Sequence, residues 1–227
     1  DWVTLVTLPG PGHPFGSFPV RTYSFPATAA KFFRVTLGGP KPDPFAVFLG
    51  LPQRKALDIA EIELSSTPRV NRWQDKAQFG NMVEYESAAT LGVPSNQAIA
   101  RSSVIDLTSK MRKDGRLDWD VPAGKWVILR MGYSLTGQKN APASPEATGF
   151  EVDKLSRKHV DSYFQYYVGQ ISDTLGPHFG KSFRYFLMDS WEAGLENWTD
   201  DMINEFQRRR GYNPTPYLPV LTGRVVE

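Results

Sequence analysis

The sequence predicts a two-part fold, an antiparallel β-sandwich of jelly-roll kind over residues 1–124 followed by a partial (β/α)8-barrel segment over residues 125–227. Three observations predict it. The first 124 residues hold short apolar stretches separated by Pro and Gly clusters, with no 3.6-residue stripe. After them, a β-favouring run at 126–133 (WVILRMGY), a helical apolar pattern and a second bulky run at 184–188 follow in the order of a βαβ crossover. That last run breaks into Asp189, Trp191, Glu192, Glu196 and Trp198, so carboxylates and indoles collect where a parallel strand is expected to end.

In chain order, the expected sandwich strands are the apolar stretches at 3–8, 32–37, 45–49, 59–64 and 104–107. Residues 15–19, 38–44 and 90–97 are loops by composition. Trp73, Phe79 and Tyr85 are either core and rim or a face on which pyranose rings stack. His13 is a loop residue, since no His or acid stands near it at metal-ligand spacing. Pro122, Ala123 and Gly124 make a turn that either leads into a last sandwich strand or, the reading preferred because the following helix needs a preceding parallel strand, hands the chain to the second unit. There, Val160, Phe164, Tyr167, Val168, Ile171 and Leu175 predict a helix over about 156–174, stopped by Gly176. A second helix is expected after Thr199, whose hydroxyl can cap free N–H groups while Asp200 and Asp201 sit at the positive end of the dipole. Met202, Ile203 and Phe206 are its apolar stripe, and it ends near Arg210 because Gly211 suits a left-handed C′ position. His159 and His178 fall on the surface in this scheme.

Composition limits the function classes. With 227 residues, 41% of them hydrophobic, the chain is long enough for a core and two units. A net charge of +2 from 26 basic and 24 acidic residues gives no reason to expect nucleic acid as a partner, and Arg208 to Arg210 suit a helix C-terminus better than a polyanion site. The absence of Cys removes disulfides and thiolate metal sites. No apolar run approaches the roughly 20 residues of a membrane helix, so no membrane span is expected.

The chemistry-bearing residues cluster late. In the βαβ arrangement the loops after the two strands leave one sheet edge, so Glu151 and Asp153 are expected to face Asp189 and Glu192 at roughly 5 Å per strand step. Carboxylates opposed in this way can differ in pKa and divide acid and base work. The one-residue spacing of Glu151 and Asp153 points both to one face of an extended segment, or else Asp153 caps the following helix. Glu192 is alternatively an ion-pair partner of Arg130, Lys154 or Arg184. Asp189 is suited to binding metal, orienting sugar hydroxyls or holding a loop. Asn140 and Lys154 either bind sugar hydroxyls or stabilise their loop. Trp191 and Trp198 are either sugar platforms or core.

The runs GYSLTGQKNAPASPEATGFEVDKLS, MDSWEAGLENWT and FQRRRGYNPTPYLPVLTGRVV together resemble the α-L-rhamnosidases of glycoside hydrolase family 106, over about residues 126–226 and more loosely before them. The resemblance implies a (β/α)8 catalytic barrel with attached β-sandwich domains, inversion at the anomeric carbon, and Ca2+ helping to hold the rhamnose. It makes Glu192 the candidate general acid, with Trp191 desolvating it, and Glu196 the second choice. Asp189, Trp191, Trp198, Glu151, Asp153 and Asn140 become candidate contacts to a rhamnose-containing glycan, and Glu151 and Asp189 the candidate calcium ligands. A barrel takes about 250 residues, so the resemblance also implies a fragment, inactive by itself, with the base elsewhere and a partner in the remainder of the barrel or a second copy. Export from the cell follows from the resemblance alone. The alternative is a carbohydrate-binding or structural spacer module of a larger glycan-degrading enzyme.

Overall fold

A computed structural model describes residues 1–8, 20–39, 42, 44–53, 55–56, 59–80, 89–187, 191 and 193–227. The chain divides into two compact units, one of Asp1–Arg130 with Tyr212–Glu227 and one of Met131–Gly211. The β-sandwich and the partial-barrel strands expected from the sequence do not appear among the described residues. Among the described residues there is no strand, only helices, 3₁₀ turns, irregular backbone and four isolated bridges. The stretches at 3–8, 32–37, 59–64, 104–107, 126–133 and 184–187 are all unpaired in a ladder. Their side chains are open to solvent, as at Val3 (80% exposed), Phe32 (77%) and Leu187 (93%). A β-favouring run becomes a strand only when another strand supplies its hydrogen bonds and cross-strand neighbours, and these runs find none. The stretch at 45–49 goes the other way: helix α1 is Pro44–Phe48, begun by a proline in its first turn.

The first unit is organised around a four-residue helix, α2 (Trp73–Lys76). Arg72 precedes it in the left-handed conformation, at φ 51°, and its backbone N–H donates to the Thr22 carbonyl at 2.8 Å. The Thr22 hydroxyl accepts from Trp73 Nε1 at 3.0 Å and from Gln74 Nε2 at 2.8 Å, and the Thr22 N–H donates to Gln74 Oε1 at 3.1 Å. Gln74 and Asp75 are buried, so this centre is held by hydrogen bonds more than by apolar packing. The C-terminal residues close onto it. Val70 N–H donates to the Gly223 carbonyl at 2.9 Å, and Gly223, at φ 81°, lies against the Trp73 indole. Ile99 N–H donates to Val225, Glu227 N–H to Ile99 and Arg101 N–H to Glu227, at 2.9, 2.9 and 2.8 Å.

The second unit is built on helices α3 (Arg157–Leu175) and α4 (Met202–Arg210), both where the sequence predicts a helix. Ser156 caps α3 by accepting from the His159 N–H, and Gly176 follows its last residue. Gly211 ends α4 at φ 79°, a conformation that costs a residue with a Cβ. The start of α4 differs from expectation, because the N-cap is Asp201 and no side chain caps it. The Thr199 hydroxyl, expected in that role, donates elsewhere. Met202, Ile203 and Phe206 form a half-buried stripe.

Candidate active site

The site is assembled where the segment before α3 meets the segment before α4. Residues 139 and 150 form an antiparallel bridge, and Glu151 N–H donates to the Gln138 carbonyl at 3.0 Å, which sets Glu151 at the base of a closed loop. Asn140 closes that loop: its Nδ2 donates to the Ala147 carbonyl at 3.0 Å and its Oδ1 accepts from the Gly149 N–H at 2.8 Å. One N–H and one lone pair of its amide are thereby used within the loop, and a second of each is left.

Asp153 is fixed from two sides. Its Oδ1 accepts from the Leu155 N–H at 2.9 Å, an Asx turn leading into α3, and its Oδ2 accepts from the buried Thr199 hydroxyl at 2.7 Å. Ser156, and not Asp153, is the cap of α3. Lys154 faces three groups. Its backbone N–H donates to Glu196 Oε2 at 3.1 Å, its ammonium pairs with Glu151 Oε2 at 2.7 Å, and the same ammonium stands 5.5 Å from the centre of the Trp191 ring.

Glu196 therefore sits among Asp153, Glu151 and Lys154. Burial pushes its carboxyl above the usual range, and the charges of Asp153 and Glu151 push the same way, against the Lys154 N–H and ammonium, which favour the ionised form. Trp191 is 55% exposed, with its indole N–H donating to the Gly194 carbonyl at 3.2 Å. Ala193 beside it is fully buried. Trp198 is half-buried and tilts against Tyr133 at 6.3 Å, so it is a packing residue more than an open platform. Asp189 and Glu192 lie outside the described residues.

A profile of the alpha-L-rhamnosidases matches residues 17–227 of this sequence. The chain belongs to glycoside hydrolase family 106. A solved rhamnosidase from Novosphingobium sp. PP1Y is 44% identical, with a TM-score of 0.64, over 72% of this family 106 chain and 16% of that one. A Formosa agariphila protein that carries a provisional beta-glucuronidase name is 38% identical over 161 residues, 71% of this chain and 14% of its own length. The family 106 chain thus spans about one-seventh of the relatives it matches.

Of the residues singled out from the sequence, Glu151, Asp153, Glu196 and Trp191 are brought together around Lys154, whereas Asn140 is used within its loop and Trp198 packs on Tyr133. Of the two candidate calcium ligands, Glu151 is described and Asp189 lies outside the described residues. Among the described residues no three acid or histidine side chains are grouped as a metal ion needs, and the Glu151 carboxylate is taken by the Lys154 ammonium. Sequence reasoning missed the second anchor, in which the Tyr133 hydroxyl donates to Asp200 Oδ1 at 2.6 Å while His159 Nε2 stands 3.6 Å from Asp200 Oδ2. The Tyr133 hydrogen bond first, and the neighbouring His159 imidazole after it, hold the Asp200 carboxyl below its ordinary range. The only signal was an acid beside a helix start, which reads equally well as a dipole partner. Of the three aromatic residues singled out in the first unit, Trp73 packs edge-on to Phe79, lies against Gly223 and donates to the Thr22 hydroxyl, and Tyr85 lies outside the described residues.

Proposed function

We propose that this chain is a segment of an inverting α-L-rhamnosidase that removes terminal α-L-rhamnosyl groups from a glycan, with Glu192 as general acid and a base supplied by other sequence. The observation that supports it is the convergence of Glu151 and Glu196 on Lys154 beside Trp191, the residue that precedes Glu192 in the chain. In an inverting glycosidase a protonated carboxyl donates to the leaving oxygen while a carboxylate about 6.5–9.5 Å away activates water on the opposite face of the sugar. The acid must hold its proton near neutral pH, which an apolar neighbour and nearby negative charges promote. Glu192 has Trp191 as its neighbour in sequence, an apolar side chain of the kind that favours the protonated form. Glu196 is the second choice for the acid. Burial favours its proton, but the N–H of Lys154 favours the charged form.

Asp153, tied to Thr199 and Leu155, is suited to accept hydrogen bonds from sugar hydroxyls without moving. The exposed Trp191 ring is suited to stack on the apolar face of a pyranose. An exported enzyme fits a polymeric or glycosidic substrate, and no helix among the described residues is long and apolar enough to cross a membrane.

The test is hydrolysis of a rhamnosyl disaccharide, an aryl α-L-rhamnoside and an aryl β-glucuronide, by this chain and by a version extended to the length of its relatives. We expect the extended enzyme to cleave both rhamnosides and not the glucuronide. Glu192→Gln should lower disaccharide turnover by about 10²–10⁴-fold, with a smaller loss on the aryl substrate, whose leaving group needs less help. Full disaccharide activity in Glu192→Gln together with a large loss in Glu196→Gln would move the acid to Glu196. Cleavage of the glucuronide alone would reject the rhamnosidase reading.

A further inference from the structure

We propose that Lys154 is the positioning residue of the acidic loop, fixing Glu196 through its backbone N–H and Trp191 through an ammonium that is itself anchored on Glu151. The proposal rests on the reading of that loop as the proton-donating segment of a glycosidase.

One residue here joins three places in the chain. The Lys154 N–H reaches Glu196, 42 residues away, at 3.1 Å, and its ammonium bridges Glu151 at 2.7 Å and the Trp191 ring at 5.5 Å. This differs from an ordinary surface ion pair. The Lys154 and Glu151 side chains are only 27% and 18% exposed, so water screens their attraction less than it does at the surface. Among the described residues the other tie of Trp191 is the indole N–H to Gly194 three residues on, which shapes the local turn but does not hold it against the segment before α3. That attachment comes from Lys154.

The charges make the arrangement directional. Glu196 faces Asp153 and Glu151, whose charges resist its ionisation, and Lys154 supplies the opposing cation. Without the ammonium three carboxylates would share the space uncompensated, and Glu196 would hold its proton more strongly. The Trp191 ring would lose its cation and the acidic loop its link to residue 151. Lys154 thus sets both where Trp191 and Glu196 sit and how readily Glu196 gives up its proton.

The experiment uses the 227-residue chain labelled with carboxyl-¹³C glutamate and 5-fluorotryptophan, with the Glu196 and Trp191 resonances assigned by Glu196→Gln and Trp191→Phe. Lys154→Met should move the Glu196 titration to higher pH and shift the Trp191 fluorine resonance toward that of a solvent-exposed indole. Lys154→Arg should restore both. Unchanged Glu196 and Trp191 signals in Lys154→Met would overturn the proposal. Should Lys154→Met lose the helicity of α3, Glu151→Gln decides instead. A displaced Trp191 resonance in that variant supports an anchored ammonium, and a resonance identical to that of the unsubstituted chain rejects it. Neither readout requires turnover. A failure of rhamnoside hydrolysis therefore leaves the Lys154 result standing, and a null Lys154 result beside an inactive Glu192→Gln enzyme removes this proposal alone.

Discussion

At the residue scale, Glu196 and Glu205 make opposite predictions. Glu196 has a raised carboxyl pKa, so its neutral form favours the fold. That contribution is complete below the ordinary value of 4.5 and is lost as pH rises through the higher folded value. Glu196→Gln, which stays neutral, should therefore gain on the unsubstituted chain in thermal midpoint as pH is taken from acid to neutral. A constant difference across that range would contradict the burial argument. Glu205 is the reverse case. Hydrogen bonds from Arg208 at 2.6 Å and Arg209 at 2.9 Å hold its carboxyl at about 2, against an ordinary 4.5. Its contribution is present above 4.5 and is lost as pH falls toward 2. The group is exposed, so added salt should pull its titration, followed by carboxyl NMR, back toward the ordinary value. The basic run Arg208 to Arg210, read from the sequence as favouring the helix C-terminus, stands in the last turn of α4, with Arg208 and Arg209 also reaching back to Glu205.

At the scale of elements, α3 and α4 were legible because a helix is a local structure. Its apolar period, its Ser156 cap and its terminal Gly211 all stand in adjacent sequence. Ser156→Ala should cost about 0.5–2 kcal/mol, toward the lower figure because the capping bond is long at 3.4 Å, as measured by urea unfolding followed at α3. The strands were misread because pairing is not local, and Val, Ile and Phe in a short run look the same whether or not a second strand lies beside them. Thr199 was misread for a related reason. Its hydroxyl is chemically fit to cap α4, but Asp153, 46 residues earlier, accepts its proton instead. The convergence of Glu151, Asp153 and Glu196 could be anticipated as acids near expected turns, whereas the bonds that join them through Lys154 and Thr199 could not. Around α2 the packing allows no added atom. A Cβ at position 223 would stand 2.5 Å from Trp73 Cδ1, at a φ of 81° that side chains avoid. Gly223→Ala should destabilise the first unit by about 1–3 kcal/mol, read from the denaturation midpoint.

At the scale of the whole molecule, apolar surface is the dominant feature. Among the described residues large apolar side chains lie open in both units, as at Val3 (80% exposed), Phe32 (77%), Tyr185 (86%) and Leu187 (93%). Tyr163, Phe164, Tyr166 and Tyr167 on α3 are all exposed, and a groove of about 490 Å³ runs along the same helix past Ile171, Leu175 and Phe183. Surface of that kind is ordinarily covered. The expected outcome for the isolated chain is concentration-dependent association and strong binding of a hydrophobic dye. A single monomeric species in sedimentation velocity, with a sharp two-state unfolding curve, would contradict it. The closing of residues 223–227 onto Val70 and Ile99–Arg101 adds a constraint of timing. During synthesis residues 131–211 leave the ribosome before 212–227 do, so the second unit has all of its own sequence while the first still waits for its closing segment. The earlier part of the polypeptide is thus the later to be completed, and the interval in which Trp73 lacks its cover is set by the speed of translation.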